Sequence, residues 1–352
     1  VGSSEAVTRR VGKVPSEILM CAIILCIGPM VAIPRTSATT FEMAIAPNLS
    51  GVSPVLFSVL FFAVILALCI KESAVVDIVG KILTPLLLLG LFAIIVKGII
   101  TPLGDIAALP QIANVAVTGI KARYQTMDAL AALNFGAVIA LNLQAVGITE
   151  ESAVRRGTIR AGFIAGGMLL VVYAMLTHIG GISGAAFPGS DTGAAVLTAL
   201  ADGLFGRVGQ VLLAAIFVIA CFNTCVGLIA SVGEYFHQLL PRLPYPAIAA
   251  FFALMSMLLA NIGLAGILSL SVPVLNAIYP IAIILIVVEF LPGRFQRTSV
   301  WRLSILFTAI QSIPAALPFG PLSTLMNALP LSSLGFGWLL PALIGIGAGL
   351  LM

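Results

Sequence analysis

Four stretches of this 352-residue sequence place proline, glycine and polar side chains inside otherwise aliphatic runs. The first is Ile27-Gly28-Pro29-Met30-Val31-Ala32-Ile33-Pro34-Arg35-Thr36, with two prolines five residues apart and an arginine beside the second. The second is Leu133-Asn134-Phe135-Gly136, followed by Asn142 and Gln144. The third is Ala220-Cys221-Phe222-Asn223-Thr224-Cys225-Val226-Gly227, and the fourth runs from Ser269 through Pro273, Asn276 and Tyr279 to Pro280. Proline removes a backbone donor and strains the preceding turn, so a helix interrupted at such a place has carbonyls and amides free to hold an ion or a ligand. That is the chemistry of reversible binding. Hydrolysis would ask for a nucleophile with its base, two carboxylates at depth, or a histidine-rich metal motif. The chain has two histidines, His178 and His237, both near the ends of apolar runs, and no pair of mid-run acids. An enzyme is excluded on these grounds.

Each stretch has a plainer reading beside the functional one. Arg35 lies about 27 Å along a helix from Glu17 at 1.5 Å per residue, which puts it near an interface. There it either snorkels or pairs with Glu42 two turns on, or it forms with Pro34 a gate or structural tie beside a ligand path. Gly136 beside Asn134 is either a helix discontinuity or a packing notch. Asp128 belongs in a first helical turn, where the macrodipole favours a carboxylate. Thr224, a free carbonyl at Cys221 and the neighbourhood of Cys225 suit an oxygen-seeking cation such as Na⁺. Alternatively, the Thr224 hydroxyl bonds the carbonyl of its own preceding turn. Pro273 and Tyr279 mark an irregular helix that either gates or is merely kinked.

The elements that must position these residues follow from composition. Hydrophobic residues make up 61% of the chain and charged ones 9%, with a mean hydropathy of +1.19. A soluble domain carries about 25% charged residues, and water could not surround this much apolar surface. The formal charge of +4 implies no nucleic-acid partner. The cysteines Cys21, Cys26, Cys69, Cys221 and Cys225 sit in apolar runs without metal-ligand spacing and read as small buried hydrophobes. Runs of roughly 20 apolar residues, the length that crosses a bilayer, occur about ten times: near 17–41, 54–70, 80–100, 126–146, 158–179, 208–232, 246–262, 268–290, 300–317 and 336–352. An all-α, polytopic membrane protein is therefore expected, with a polar N-terminal segment over 1–16 and one transmembrane domain over 17–352. Residues 191–203 are too short and polar to cross and predict a surface or re-entrant helix, capped by Asp191 or Thr192. Gly162/Gly166 and Gly345/Gly349 have the spacing that lets helices approach closely. Alternate loops hold twelve and four of the Lys and Arg residues, which places the twelve, and with them the N-terminal segment, in the cytoplasm.

The strings GPMVAIPRTSATTFEMAIAP (28–47), TMDALAALNFGAVIALN (126–142) and SVPVLNAIYPIAIILIV (271–287) resemble the bacterial branched-chain amino-acid carriers, a family of cation symporters. The similarity runs in order from about residue 12 to beyond 290. It implies the inverted-repeat fold of the amino acid–polyamine–cation transporters, minus its first two helices, in a bacterial inner membrane. It also implies symport of leucine, isoleucine and valine with Na⁺ or H⁺, no cofactor and no obligatory protein partner. By the same resemblance a broken helix with substrate contacts is expected at Asn134, Phe135 and Gly136, and a Na⁺ site wall at Cys221, Thr224 and Cys225. Two other readings compete. One is a chain that, lacking two helices, does not transport by itself; the other is an ion channel, for which no ring-forming filter string is visible.

Overall fold

Backbone groups in hydrocarbon find no water, so a chain of this composition must pair them within helices. The structure, a computed structural model, describes residues 11–49, 51–70, 84–104, 115–187, 193–317 and 320–352. Every described element is helical. In chain order these are α1 (Lys13–Leu25), a π-helical turn (Cys26–Met30), α2 (Ala32–Thr40), a second π-turn (Phe41–Ile45), α3 (Pro54–Ile70), α4 (Thr84–Ile100) and α5 (Val115–Arg123). A 3₁₀ turn (Tyr124–Thr126), α6 (Asp128–Ala145), α7 (Glu151–Ala186), α8 (Gly193–Leu239), α9 (Tyr245–Ala260) and α10 (Leu264–Phe290) follow. A second 3₁₀ turn (Gly293–Phe295), α11 (Thr298–Ala316), α12 (Pro321–Asn327) and α13 (Leu339–Leu351) complete the order.

Where they are described, the apolar runs fall largely on helices; residues 80–83 of the third run lie outside the described residues. Among the described residues four stretches, Lys13–Ile45, Glu151–Ser183, Gly193–Leu239 and Leu264–Phe290, are long and apolar enough to cross a membrane by length and composition, and a fifth counts if α11 and α12 form one broken span. Shorter apolar helices, Pro54–Ile70, Leu88–Ile100, Tyr245–Ala260 and Leu339–Leu351, stand beside them, and this all-helical, apolar architecture is that of a multi-pass membrane protein. The short helix expected over 191–203 is present as the opening of α8, which breaks at Gly206 (φ 58°, ψ −148°). Its expected caps, Asp191 and Thr192, lie outside the described residues. The break returns the chain so tightly that a Cβ on Gly209 would fall on the Ala201 carbonyl.

The chain divides into two compact units. One comprises Val1–Ile27, Ile112–Gly166 and Ser269–Met352; the other comprises Gly28–Gln111 and Gly167–Leu268. The core of the first is built on Leu285 and Val288 of α10, Val300 and Trp301 of α11 and Ala342 of α13, all fully buried. Here α11 and α13 lie almost backbone to backbone. A Cβ on Gly345 would meet the Leu303 carbonyl and one on Gly349 would meet Val300 Cα, and Ser299 Oγ donates to the Gly349 carbonyl at 2.6 Å. The GxxxG expectation therefore holds for this pair. Around Gly162 and Gly166, by contrast, nothing among the described residues lies within 4 Å of an added Cβ. The core of the second unit gathers Met43, Ile94, Ile95, Ile179, Leu200 and Leu213.

Overpacking a close helix contact costs about 1–3 kcal/mol. Gly349→Leu should accordingly lower the thermal midpoint of the detergent-purified protein by several degrees, while Gly162→Leu leaves it unchanged. Equal effects from the two substitutions would contradict this packing.

Candidate functional site

The interruption that matters most lies in the first apolar run. After α1 the backbone leaves helical geometry at Gly28 (φ −94°, ψ −112°) and again at Val31 (φ −129°, ψ −63°), the residue before α2, which has no side-chain cap. Pro29 cannot donate, and its own carbonyl accepts a hydrogen bond at 3.3 Å from Oγ of Ser256, a fully buried side chain on α9. Gly28 is required by space: a Cβ there would overlap the Val232 side chain of α8. These contacts all fall within the second unit. Sequence reading missed Ser256, although one hydroxyl in Ile-Ala-Ala-Phe-Phe-Ala-Leu-Met-Ser-Met-Leu-Leu is a usable signal, because a lone polar group in an apolar helix must find a partner.

Below the break, α2 and α8 meet along a polar seam. Thr36 Oγ1 lies 2.8 Å from Sγ of Cys225 and also reaches the carbonyls of Ile33 at 2.8 Å and Ala32 at 3.0 Å. Thr40 donates to the Thr36 carbonyl at 2.7 Å and is hydrogen-bonded to Cys221. Thr40, Ser37, Cys221 and Cys225 are all buried. The structure therefore brings Cys221 and Cys225 together on the face toward α2 and puts Thr224 on another. Thr224 is exposed, and its hydroxyl donates to the Ala220 carbonyl at 2.8 Å, the back-bonded geometry that sequence left open. Pro34 is buried in the first turn of α2, and Arg35 beside it is half-buried. The Glu42 carboxylate accepts from the Leu264 backbone N–H, so it stabilises the N-terminus of α10, where a negative charge is favoured.

In the first unit the discontinuity expected at Asn134-Phe135-Gly136 is not present: α6 is helical from Asp128 to Ala145. No proline interrupts that run, and one internal glycine costs a helix only about 1 kcal/mol. The helix also has a firm start. Asp128 stands in its first turn and accepts from Thr126 Oγ1 at 2.9 Å, with Arg123 at 3.6 Å. The Ala129 backbone N–H donates to Tyr279 Oη at 3.1 Å, Tyr279 stacks on Tyr124 with ring centroids 4.6 Å apart, and Trp338 Nε1 donates to Tyr124 Oη at 3.4 Å. Burial raises the Tyr124 phenol above its ordinary value, which keeps it a neutral hydrogen-bonding group. Tyr279 thus ties the α6 N-terminus to α10. Both prolines of α10 sit inside an uninterrupted helix, and the Ala277 carbonyl near Pro280 takes a 2.9 Å bond from Ser312 Oγ. A cavity of about 150 Å³ adjoins this cluster, lined by Tyr124, Asn276, Gln311, Ser312, Asn327 and Trp338 among others. Its neutral amides and hydroxyls suit water or a neutral polar group. None of these wall residues apart from Asn276 was singled out from sequence, since isolated Gln, Asn and Ser look like loop residues until α11 and α12 fold over them.

Among the described residues no group of three or more His, Cys, Asp or Glu could hold a metal. The arrangement offers an interrupted membrane-length helix whose Pro29 carbonyl is held by the Ser256 hydroxyl, beside a seam of hydroxyls and thiols between α2 and α8. Comparison with known proteins agrees with that character. A family model described as "Branched-chain amino acid transport protein" matches residues 1–352. The chain is 38% identical over 345 residues to the branched-chain amino acid permease BraB of Bacillus subtilis (strain 168), covering 94% of this chain and 78% of the relative. It is 36% identical over 354 residues to the branched-chain amino acid transport system 2 carrier protein of Pseudomonas aeruginosa, with 98% and 81% covered. A putative branched-chain amino acid carrier protein of Staphylococcus aureus (strain bovine RF122 / ET3-1) is 33% identical over 362 residues, with 96% and 80% covered.

If Val232 is what forbids a side chain at position 28, Gly28→Ala should destabilise the purified protein by about 1–3 kcal/mol. The double change Gly28→Ala/Val232→Ala should recover part of that loss in thermal unfolding. A double variant no better than the sum of the two single ones would show that Gly28 serves some other need.

Proposed function

We propose, because the chain belongs to the branched-chain amino acid transport protein family and that family consists of transporters rather than enzymes, that it carries leucine, isoleucine and valine across a bacterial inner membrane together with a monovalent cation, Na⁺ or H⁺. The observation that supports this most is the break at Gly28–Val31. It is unwound backbone in a membrane-length helix, with Gly28, Pro29 and Val31 buried and the Pro29 carbonyl held by Ser256, which is the kind of element transporters use at their binding sites. A zwitterionic substrate needs amides for its carboxylate and carbonyls for its ammonium, and its aliphatic end needs an apolar lining. The family resemblance proposes Asn134, Phe135 and Gly136 of α6 for the substrate, Phe135 for its aliphatic end; the side chains of Asn134 and Phe135 lie outside the described residues. Arg35, Pro34, Pro273 and Tyr279 are assigned to gating or to holding the helices in place. By the distribution of Lys and Arg the N-terminal segment is cytoplasmic.

For the cation, Thr224 is the ligand of choice on α8. Its proton is already given to the Ala220 carbonyl, which leaves the oxygen lone pairs on an exposed surface, and a hard cation takes oxygen. The family resemblance adds Cys221 and Cys225 to this site, but their thiols meet Thr40 and Thr36 of α2 on another face of α8, so Thr224 is the ligand on which the cation proposal rests. Coupling follows if cation and substrate favour the same gating state.

Uptake of labelled leucine into proteoliposomes with and without a Na⁺ or a proton gradient tests this reading. Stimulation by one gradient is expected. Thr224→Ala should weaken the apparent Na⁺ affinity about tenfold, the equivalent of roughly 1.4 kcal/mol, and Thr224→Ser should restore it. Uptake indifferent to both gradients removes symport, and an unchanged Na⁺ response in Thr224→Ala removes that ligand.

A further inference from the structure

In the second unit, outside the break and its seam, a groove of about 460 Å³ runs along α8. It is lined by Val211, Ala214, Ala215, Val218 and Ile219 of α8 with Ala44, and by the polar Asn48 and Arg207. Among the described residues no carboxylate lines it. These α8 residues recur every three or four positions, so they form one stripe along the helix. Arg207 follows directly on the Gly206 break, at the place where the short opening segment of α8 gives way to its long apolar part.

The guanidinium is exposed and held in place. Its Nη1 donates to the Pro47 carbonyl at 3.3 Å and to Gln210 Oε1 at 3.1 Å, and Nη2 reaches the Asn48 carbonyl at 3.5 Å. These partners are neutral, and no carboxylate among the described residues pairs with the guanidinium. Arginine has five donors in a fixed fork that matches phosphate oxygens. From Arg207 to Ile219 the helix rises about 18 Å at 1.5 Å per residue. That is close to one leaflet of a hydrocarbon core roughly 30 Å thick. The first-turn amides of the helix that restarts after Gly206 add a further partial positive charge. A cation at the interface, a smooth apolar channel of one leaflet's depth and the absence of an acid are together complementary to a single kind of molecule.

We propose that this groove is a specific site for an anionic phospholipid, with its phosphodiester on Arg207 and one acyl chain along Val211–Ile219. The site is independent of the transport reading and of the break. The test uses the full chain, purified and stripped of lipid in detergent, and titrated with dioleoyl phosphatidylglycerol or dioleoyl phosphatidylcholine while native mass spectrometry counts bound lipid. Phosphatidylglycerol should bind the wild-type protein at least about fivefold more tightly, the value expected for one basic side chain near an anionic headgroup. Arg207→Gln should abolish the preference and Arg207→Lys should keep it. Ala215→Trp, at an exposed position, should fill the channel and lower the binding of both lipids, with Ala215→Phe as a second variant should the first fail to fold. Retained preference in Arg207→Gln overturns the headgroup assignment. Displacement of the lipid by glycerophosphoglycerol without acyl chains overturns the groove assignment. A change in association state in place of lipid loss would show that a second copy of the chain covers this face.

Discussion

The hydrocarbon interior of a membrane supplies no hydrogen bonds, and the rest of the structure depends on that constraint. A helix that stays intact satisfies itself. One that is interrupted at depth needs partners from its neighbours for each freed group, each costing several kcal/mol if left bare. At Gly28–Val31 those partners are visible. Ser256 gives its proton to the Pro29 carbonyl, and glycine keeps the chain clear of Val232. Thr36 and Thr40 return their hydroxyls to their own helix while meeting the thiols of α8. A break this well supported can persist without collapsing into a straight helix, and it leaves polar backbone where the surroundings are otherwise aliphatic.

The same economy operates where helices touch. In the first unit the small residues Gly345 and Gly349 let α13 reach the backbone of α11. Hydroxyls such as Ser299 then bridge directly to main-chain carbonyls. In lipid such close approach supplies dispersion and hydrogen bonding where the hydrophobic effect between helices is weak. The aromatic tie of Tyr124, Tyr279 and Trp338 works differently. Large rings pack together beside α6; the Tyr279 hydroxyl accepts from the Ala129 amide in its first turn, while Trp338 donates to Tyr124.

What could be read from sequence follows that division. Composition and run length gave the all-helical membrane class, because the bilayer allows few alternatives. The Gly28-Pro29…Pro34 string pointed to an interruption, since proline's missing donor acts locally whatever surrounds it. The Asn134-Phe135-Gly136 string looked similar but lacks proline, and α6 continues through it. Glycine permits a break without requiring one. The face of α8 was harder to read. Cys221, Thr224 and Cys225 lie within five positions, and only the packing of α2 shows that the two thiols turn toward Thr36 and Thr40 while Thr224 turns elsewhere. Ser256 and Gln311 were missed because each is a single polar residue whose partner, Pro29 or Met326, comes from another helix.

Carriers and channels both need polar backbone at depth, and they differ in whether the substrate's binding moves the protein through a cycle. Saturable counterflow separates them most directly. Proteoliposomes holding the full chain are loaded with unlabelled valine and diluted into a trace of labelled leucine. The account predicts transient accumulation of the label above its external concentration, abolished when isoleucine saturates the outside. Leucine that only equilibrates, at a rate proportional to concentration and indifferent to internal valine, would contradict it.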